Sequence, residues 1–115
     1  MARTPIGDEL AHALPAGTRL GEYLITGIVG TGGFSVVYAA TDNLGRRIAI
    51  KEYMPESLAR RLDGVTVAPR SERTEATFRQ GLDSFVKEAK TLARFRHPAI
   101  LGVYAFWEAH GTAYM

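Results

Sequence analysis

Residues 29–51 hold the most informative stretch of the sequence, which reads VGTGGFSVVY at 29–38, DNLG at 42–45 and IAIK at 48–51. Three glycines within four residues allow a backbone to bend tightly and to come close to another group. The β-branched and aromatic residues that follow are typical of a strand, and DNLG is typical of a turn. The stretch therefore predicts two antiparallel strands of one small sheet, which carry a glycine loop and a cation, Lys51.

The combination of a glycine loop and a lysine indicates a phosphate ligand. Backbone N–H groups together with one ammonium group provide the donors that a polyphosphate needs. Strand alternation puts Ala49 and Lys51 on one face of the second strand and Ile48 and Ile50 on the other. An ordinary hairpin with a glycine turn and a solvated lysine is the alternative interpretation.

Two other glycine-rich motifs fit less well. The dinucleotide-binding fingerprint requires its glycines to open a helix, whereas Val36, Val37 and Tyr38 predict a strand at that point. The Walker A loop requires Gly-Lys-Ser or Gly-Lys-Thr after the glycine spacing, and the sequence contains neither tripeptide.

The stretch resembles the glycine-rich loop and the lysine strand of protein kinases, Gly-x-Gly-x-x-Gly-x-Val followed by Val-Ala-Ile-Lys. Gly30, Gly32 and Val37 match this pattern, and IAIK at 48–51 matches with one conservative change. Ser35 replaces the third glycine, which predicts a stiffer loop, and the extra glycine before it restores some freedom.

The resemblance implies an ATP site. The loop from Gly30 to Ser35 would cover the phosphates, Val37 and Ala49 would sandwich the adenine, and Lys51 would hold the α- and β-phosphates. The implied ATP-binding residues are Val29, Gly30, Thr31, Gly32, Gly33, Phe34, Ser35, Val37, Ala49 and Lys51.

A long amphipathic helix is predicted from Thr74 to Phe95. Its apolar residues repeat at helical spacing along one stripe, which must pack on a sheet face, either the side of Ile48 and Ile50 or its edge. Gly81 lies inside this helix at a cost of roughly 1 kcal/mol against alanine and marks a bend or a close approach.

This helix resembles helix C of the kinases, and by that resemblance Lys51 and Glu88 are the candidate catalytic residues. The resemblance implies that Glu88 pairs with Lys51, 37 positions earlier, and aligns it on the phosphates. The alternative is an exposed acid that pairs with Arg94 or Lys87.

Residue patterns, together with the resemblance, predict the order of elements in the remaining chain. Residues 1–18 form an irregular lead-in with one or two helical turns before Pro15, and a first strand runs from Leu20 to Val29. Residues 54–74 look like an insertion of the kind seen in bacterial serine/threonine kinases. This insertion is predicted to contain a short helix at 55–58, a turn at 63–64 and a short strand at 65–67.

The segment HPAI at 97–100 leads into strands at 100–108 and 112–115. The predicted fold is thus α+β, a five-stranded antiparallel sheet with one long helix, in which residues 19–115 form a kinase amino-terminal lobe that stops before the hinge.

Composition bounds the function only loosely. The 115 residues suffice for one domain, and 46% hydrophobic with 23% charged residues is ordinary for a globular protein. The net charge of +2 is too balanced to indicate nucleic acid, although residues 46–96 carry 12 Lys and Arg against 7 Asp and Glu, a surplus of +5. No cysteine and no long apolar run is present, so disulfides, cysteine-ligated zinc and membrane spans are excluded. This composition is compatible with the cytoplasm, the predicted location.

The resulting expectation is a part of a longer serine/threonine kinase. The family's catalytic base and Mg²⁺ ligands have no counterpart in the sequence, so ATP is the expected cofactor, Mg²⁺ is held elsewhere, and the 115 residues alone are expected to be inactive. A protein substrate would bind through the missing large lobe, and the lobe alone is expected to self-associate. The alternatives are a pseudokinase or kinase-like interaction module, and a small α+β domain without a nucleotide site.

Overall fold

The computed structural model describes residues 12–94 and 105–115. The elements in chain order are β1 (Arg19–Leu20), β2 (Tyr23–Thr31), β3 (Ser35–Thr41), β4 (Arg47–Tyr53), β5 (Ala59–Arg61), β6 (Val67–Pro69), α1 (Glu72–Leu92), β7 (Trp107–Ala109) and β8 (Thr112–Tyr114). Six strands form one antiparallel sheet in the order β1-β2-β3-β4-β8-β7, and β5 pairs with β6 separately. An antiparallel sheet packed with one long helix confirms the predicted α+β class.

Within the described residues the sheet has six strands rather than the predicted five, because the first predicted strand is split. Gly21 adopts a positive φ of 61°, a conformation that glycine reaches without steric cost. The chain therefore reverses between β1 and β2, and Leu20 pairs directly with Tyr23. Val29 still lies in a strand, within β2.

The β3–β4 hairpin confirms the prediction made from the glycine-loop stretch. The two strands predicted around Val36–Tyr38 and Ile48–Lys51 are β3 and β4, and their register sets Tyr38 opposite Ile50. Alternate residues of β3 are buried, as period-two patterning requires. They are Val36, Tyr38 and Ala40.

Helix α1 confirms the predicted amphipathic helix with shifted ends. It begins at Glu72, where the N–H of Ser71 donates to Thr74 Oγ1 at 3.1 Å, and it ends at Leu92 rather than at Phe95. Arg94 lies in the turn after the helix, and residue 95 is outside the described residues. The buried stripe repeats at i, i+4, i+7 and i+11. It consists of Phe78, Leu82, Phe85 and Ala89.

Of the two positions predicted for α1, the side of Ile48 and Ile50 is wrong. The helix contacts β6 and β8, and it meets β4 through Tyr53, which shares its strand face with Lys51. The face that carries Ile50 is instead covered by the segment before β1, where the N–H of Leu14 donates to the Tyr38 hydroxyl at 2.9 Å.

The predicted insertion forms a small hairpin against the domain. The predicted helix at 55–58 is only a turn, in which the N–H groups of Leu58 and Ala59 both donate to Pro55 O. The predicted turn at 63–64 is confirmed, since Gly64 has a φ of 83°. The predicted strand at 65–67 lies slightly later, because β6 covers 67–69 and pairs with β5.

Some predicted features fall partly or wholly outside the described residues. These are the helical turns before Pro15, the HPAI segment and the first part of the strand at 100–108. Within the described part, β7 and β8 flank a turn at His110 and Gly111, which both have positive φ. The described residues contain no helix with the length and apolar character that a membrane crossing would need.

Two turn aspartates predict a loss of stability in acid. The backbone N–H of Arg46 donates to the Asp42 carboxylate, and that of Thr66 donates to the Asp63 carboxylate. These hydrogen bonds hold the pKa of each carboxyl below its ordinary 3.8. A carboxyl with a lowered folded-state pKa stabilises the fold above its unfolded pKa, and this contribution is lost as pH falls through the folded value. We expect the free energy of unfolding to decline below about pH 4 and the decline to be shallower in Asp63→Asn. Urea titrations at several pH values measure this, and a variant profile parallel to that of the wild type would contradict it.

Candidate functional site

The glycine loop is a tight hairpin between β2 and β3. The N–H of Gly32 donates to Ser35 O at 2.9 Å, which leaves Gly33 and Phe34 at the tip. Phe34 is exposed by 69%. The described loop contains no positive-φ glycine, and a Cβ on Gly30 or Gly33 would meet nothing within 4 Å, so the fold of the loop itself does not require glycine at these two positions. The space above the loop is therefore open to a ligand.

The start of the insertion anchors the second half of this loop. The ladder between β3 and β4 continues past the strand ends, where the N–H of Met54 donates to Phe34 O at 2.9 Å and that of Glu56 donates to Gly33 O at 3.2 Å. Ser35 lies opposite Tyr53 in the same ladder. The residue that replaces the third glycine thus begins a regular strand.

Lys51 and Glu88 come together across β4 and α1. Lys51 Nζ lies 3.8 Å from Glu88 Oε1, with side-chain exposures of 39% and 53%. This distance makes an ion pair but exceeds the 2.7–2.9 Å typical of a charge-assisted hydrogen bond. The ammonium group also lies 5.9 Å from the centre of the Phe85 ring. The half-exposed lysine is therefore accessible to an anion from solvent.

The small apolar side chains of the predicted site share the strand face of Lys51. Val37 is the direct cross-strand partner of Lys51, and Ala39 is that of Ala49. Because opposite residues of an antiparallel pair point to the same side, Val37 and Ala49 lie beside the lysine on one face. Val29 lies within β2, two residues before its end, and is 66% exposed.

A cleft of about 380 Å³ opens between the glycine loop, β4 and α1. Its lining residues are Phe34, Ser35, Lys51, Tyr53, Gly81, Ser84, Phe85 and Glu88. Four of these were predicted site residues. The other predicted site residues lie outside the lining of this cleft, on the loop and on the adjoining strand face.

The other four lining residues were not predicted as site residues: Tyr53, Gly81, Ser84 and Phe85. The glycine inside an amphipathic helix was the one available signal, and the structure confirms the predicted close approach, because a Cβ on Gly81 would lie 2.2 Å from the Tyr53 hydroxyl oxygen. Burial raises the pKa of Tyr53, so it remains a neutral hydrogen-bond donor at neutral pH.

A metal site is not apparent in the described part of the chain. Among residues 12–94 and 105–115, no three His, Asp or Glu side chains converge so that they could hold a metal ion.

The chain is similar to known bacterial proteins. It is 28% identical over 99 residues to the serine/threonine-protein kinase PknE of Mycobacterium tuberculosis, and equally to PknE of Mycobacterium bovis. The solved structure of PpkA-294 in its apo form matches 90% of the chain at 53% identity with a TM-score of 0.86. No protein-family model matches the chain.

These matches involve only part of each relative. The alignment covers 86% of this chain but 14% of PknE, and the structural match covers 37% of PpkA-294. The similarity therefore concerns one portion of a larger protein in each case.

Proposed function

We propose that this chain, whose sequence and fold are similar to the amino-terminal lobe of bacterial serine/threonine protein kinases, binds ATP as part of a longer kinase. In this proposal residues 19–115 form the lobe, and the complete protein transfers the γ-phosphoryl group of ATP to a protein hydroxyl. The lobe alone is inactive, because the base and the Mg²⁺ ligands of such kinases belong to the large lobe.

The observation that carries this proposal is the contact between Lys51 and Glu88. Spacing in the sequence does not predict it, since the two residues are 37 positions apart on different elements. The fold nevertheless brings Nζ within 3.8 Å of Oε1 beside a glycine loop. An ordinary hairpin with a solvated lysine gives no reason for this arrangement.

The donor groups of the cleft fit a polyphosphate. Lys51 lines one cleft together with Ser35 and Ser84, and the space above the loop glycines is open. In the proposed complex the loop from Gly30 to Ser35 covers the phosphates, and Lys51 holds them. Bound ATP supplies the transferable phosphoryl group.

The remaining residues have orienting roles. Val37 and Ala49 offer small apolar surfaces beside Lys51, which suits the flat face of an adenine ring. Glu88 does not touch the ligand in this proposal. It fixes the lysine, so that positioning and charge stabilisation rather than covalent chemistry provide the rate enhancement.

The proposal is tested by assaying the complete kinase with radiolabelled Mg-ATP and a general protein acceptor such as casein, together with calorimetric titration of Mg-ATP. We expect label transfer to Ser or Thr and saturable binding. Saturable binding without any transfer, to the acceptor or to the kinase itself, would contradict the enzymatic role. Absence of both would contradict the ATP site as well.

The role of Glu88 predicts a loss of rate with little loss of fold. Glu88→Gln keeps the shape of the side chain but removes the charge that orients Lys51, so we expect kcat to fall by about 10²-fold. Because Glu88 is half exposed, the melting temperature should change little. Steady-state kinetics and thermal unfolding measure both quantities, with Glu75→Gln on the same helix as the control. A variant with wild-type kcat would rule out this role.

A further inference from the structure

Tyr53 inserts its hydroxyl group into a notch of α1. The notch exists because residue 81 is glycine: a Cβ there would lie 2.2 Å from the Tyr53 hydroxyl oxygen and 3.0 Å from its Cζ. The hydroxyl donates a hydrogen bond of 2.8 Å to the backbone oxygen of Phe78, inside the helix. Such a contact allows very little change in the separation between β4 and α1.

Tyr53 is held both by the helix and by the neighbouring strand of its own sheet. Tyr53 is 3% exposed, and its ring packs against Phe78 and Phe85 with ring centroids 5.4 and 5.8 Å away. Its backbone oxygen accepts a hydrogen bond from the Thr112 hydroxyl of β8. Tyr53 therefore connects the sheet to the helix through a ring, a hydroxyl and a backbone carbonyl.

The same contact lies close to the ion pair of the candidate site. Lys51 precedes Tyr53 by two residues on the same strand face, about 7 Å away along the strand. Glu88 follows Gly81 by seven residues, or two turns and about 10 Å along the helix. Phe85 lies between the Tyr53 contact and the ion pair, because its ring contacts Tyr53 and its centre lies 5.9 Å from Lys51 Nζ.

The long ion pair between Lys51 and Glu88 does not by itself fix the separation of β4 and α1. The Lys51 and Glu88 atoms are 3.8 Å apart and about half exposed, so their attraction is weak and does not hold β4 and α1 together. A buried ring with a directed hydrogen bond is far better suited to fix the separation of two elements.

We propose that Tyr53, seated in the Gly81 notch, is the positioning residue that sets the distance between Glu88 and Lys51 and thereby the rate of phosphoryl transfer. This inference rests on the proposed kinase function. Tyr53 does not touch the ATP phosphates in this proposal and acts only through the ion pair.

The decisive experiment is a kinetic double-mutant cycle in the complete kinase. Tyr53→Phe removes the hydroxyl and keeps the ring, and we expect it to lower kcat about tenfold while the KM for ATP changes less than about threefold. In a Glu88→Gln background, where the ion pair is already broken, the same substitution should lower kcat less than about twofold. Tyr23→Phe, which removes a hydroxyl from β2, is the control and should leave kcat unchanged.

A second cycle tests the notch without relying on activity. Gly81→Ala should lower the melting temperature more in the wild type than in Tyr53→Phe, because the new Cβ meets the hydroxyl oxygen only in the former. The gain in helix propensity from alanine is the same in both backgrounds and cancels. Gln80→Ala, on the exposed side of the helix, is the control.

The outcomes separate the inference from the proposed function. An equal loss of kcat in both backgrounds, or additive melting temperatures in the second cycle, would overturn the positioning role while leaving the kinase function standing. A wild type that transfers no phosphate would overturn the proposed function and the positioning role with it, and the second cycle would still decide whether the hydroxyl occupies the notch.

Discussion

Lys51→Met is expected to lower kcat of the complete kinase by at least about 10²-fold without unfolding it. Methionine keeps most of the stem of lysine but has no charge and no N–H donors, so the phosphates lose their cation. The lysine side chain is 39% exposed and its ion pair is long, so its removal leaves no buried charge behind. Its backbone bonds to Met115 at 2.7 and 2.9 Å are independent of the side chain.

A matched control separates the position from the charge. Lys87→Met makes the same chemical change at an exposed residue of α1 next to Glu88, and it should keep wild-type kcat. Steady-state kinetics, calorimetric titration of Mg-ATP and thermal unfolding should be measured on both variants. We expect Lys51→Met alone to lose both transfer and tight nucleotide binding, with a melting temperature close to that of the wild type. Activity within tenfold of the wild type would refute the assigned role.

The second large effect is expected at the Arg61–Glu52 pair, on the sheet face away from the cleft. Glu52 is fully buried, and the Arg61 guanidinium binds both of its carboxylate oxygens at 2.8 and 3.1 Å. The Tyr38 hydroxyl donates to the same carboxylate at 2.6 Å. Arg61 also donates to the backbone oxygens of His12 and Val65, so it ties the segment before β1 and the β5–β6 hairpin to the sheet.

Arg61→Ala should therefore lower the free energy of unfolding by about 3–5 kcal/mol, because it leaves a buried carboxylate without its counter-charge. Arg60→Ala, at the exposed neighbouring position of β5, should cost less than about 0.5 kcal/mol. Replacing both partners, as Glu52→Leu with Arg61→Met, should cost less than Arg61→Ala alone, since no unpaired charge remains. Urea unfolding measures all three, and a loss below about 1 kcal/mol in Arg61→Ala would contradict the buried pair.

Local patterns were sufficient for the elements whose stability depends on their own residues. The β3–β4 hairpin follows from alternating β-branched residues around a turn, and α1 follows from a stripe with helical spacing. The ends of α1 differ from the prediction, and at its start Ser71 and Thr74 cap the helix before the apolar stripe begins. The partnership of Lys51 with Glu88 came from the likeness to kinases, since no local rule relates residues on two different elements.

Long-range contacts could not be derived from the same patterns. Glu52 lies two residues after Ile50 and shares its strand face, but a carboxylate in that position becomes buried only because Arg61 pairs with it from the insertion. The side of the sheet on which α1 packs was predicted wrongly for a related reason. Apolar residues on one face of β4 showed that something covers it, but not that the covering segment would be the one before β1.

The sequence by itself therefore determined the hairpin, the glycine loop and the amphipathic helix, because hydrophobic period and turn chemistry act over neighbouring residues. Only the tertiary structure decided which face of β4 meets the helix, how Tyr53 enters the Gly81 notch and how Arg61 neutralises Glu52. Each of these depends on burial between segments that are far apart in the chain. The free-energy cost of an unpaired charge or of a steric clash there depends on which residue of the other segment lies in contact.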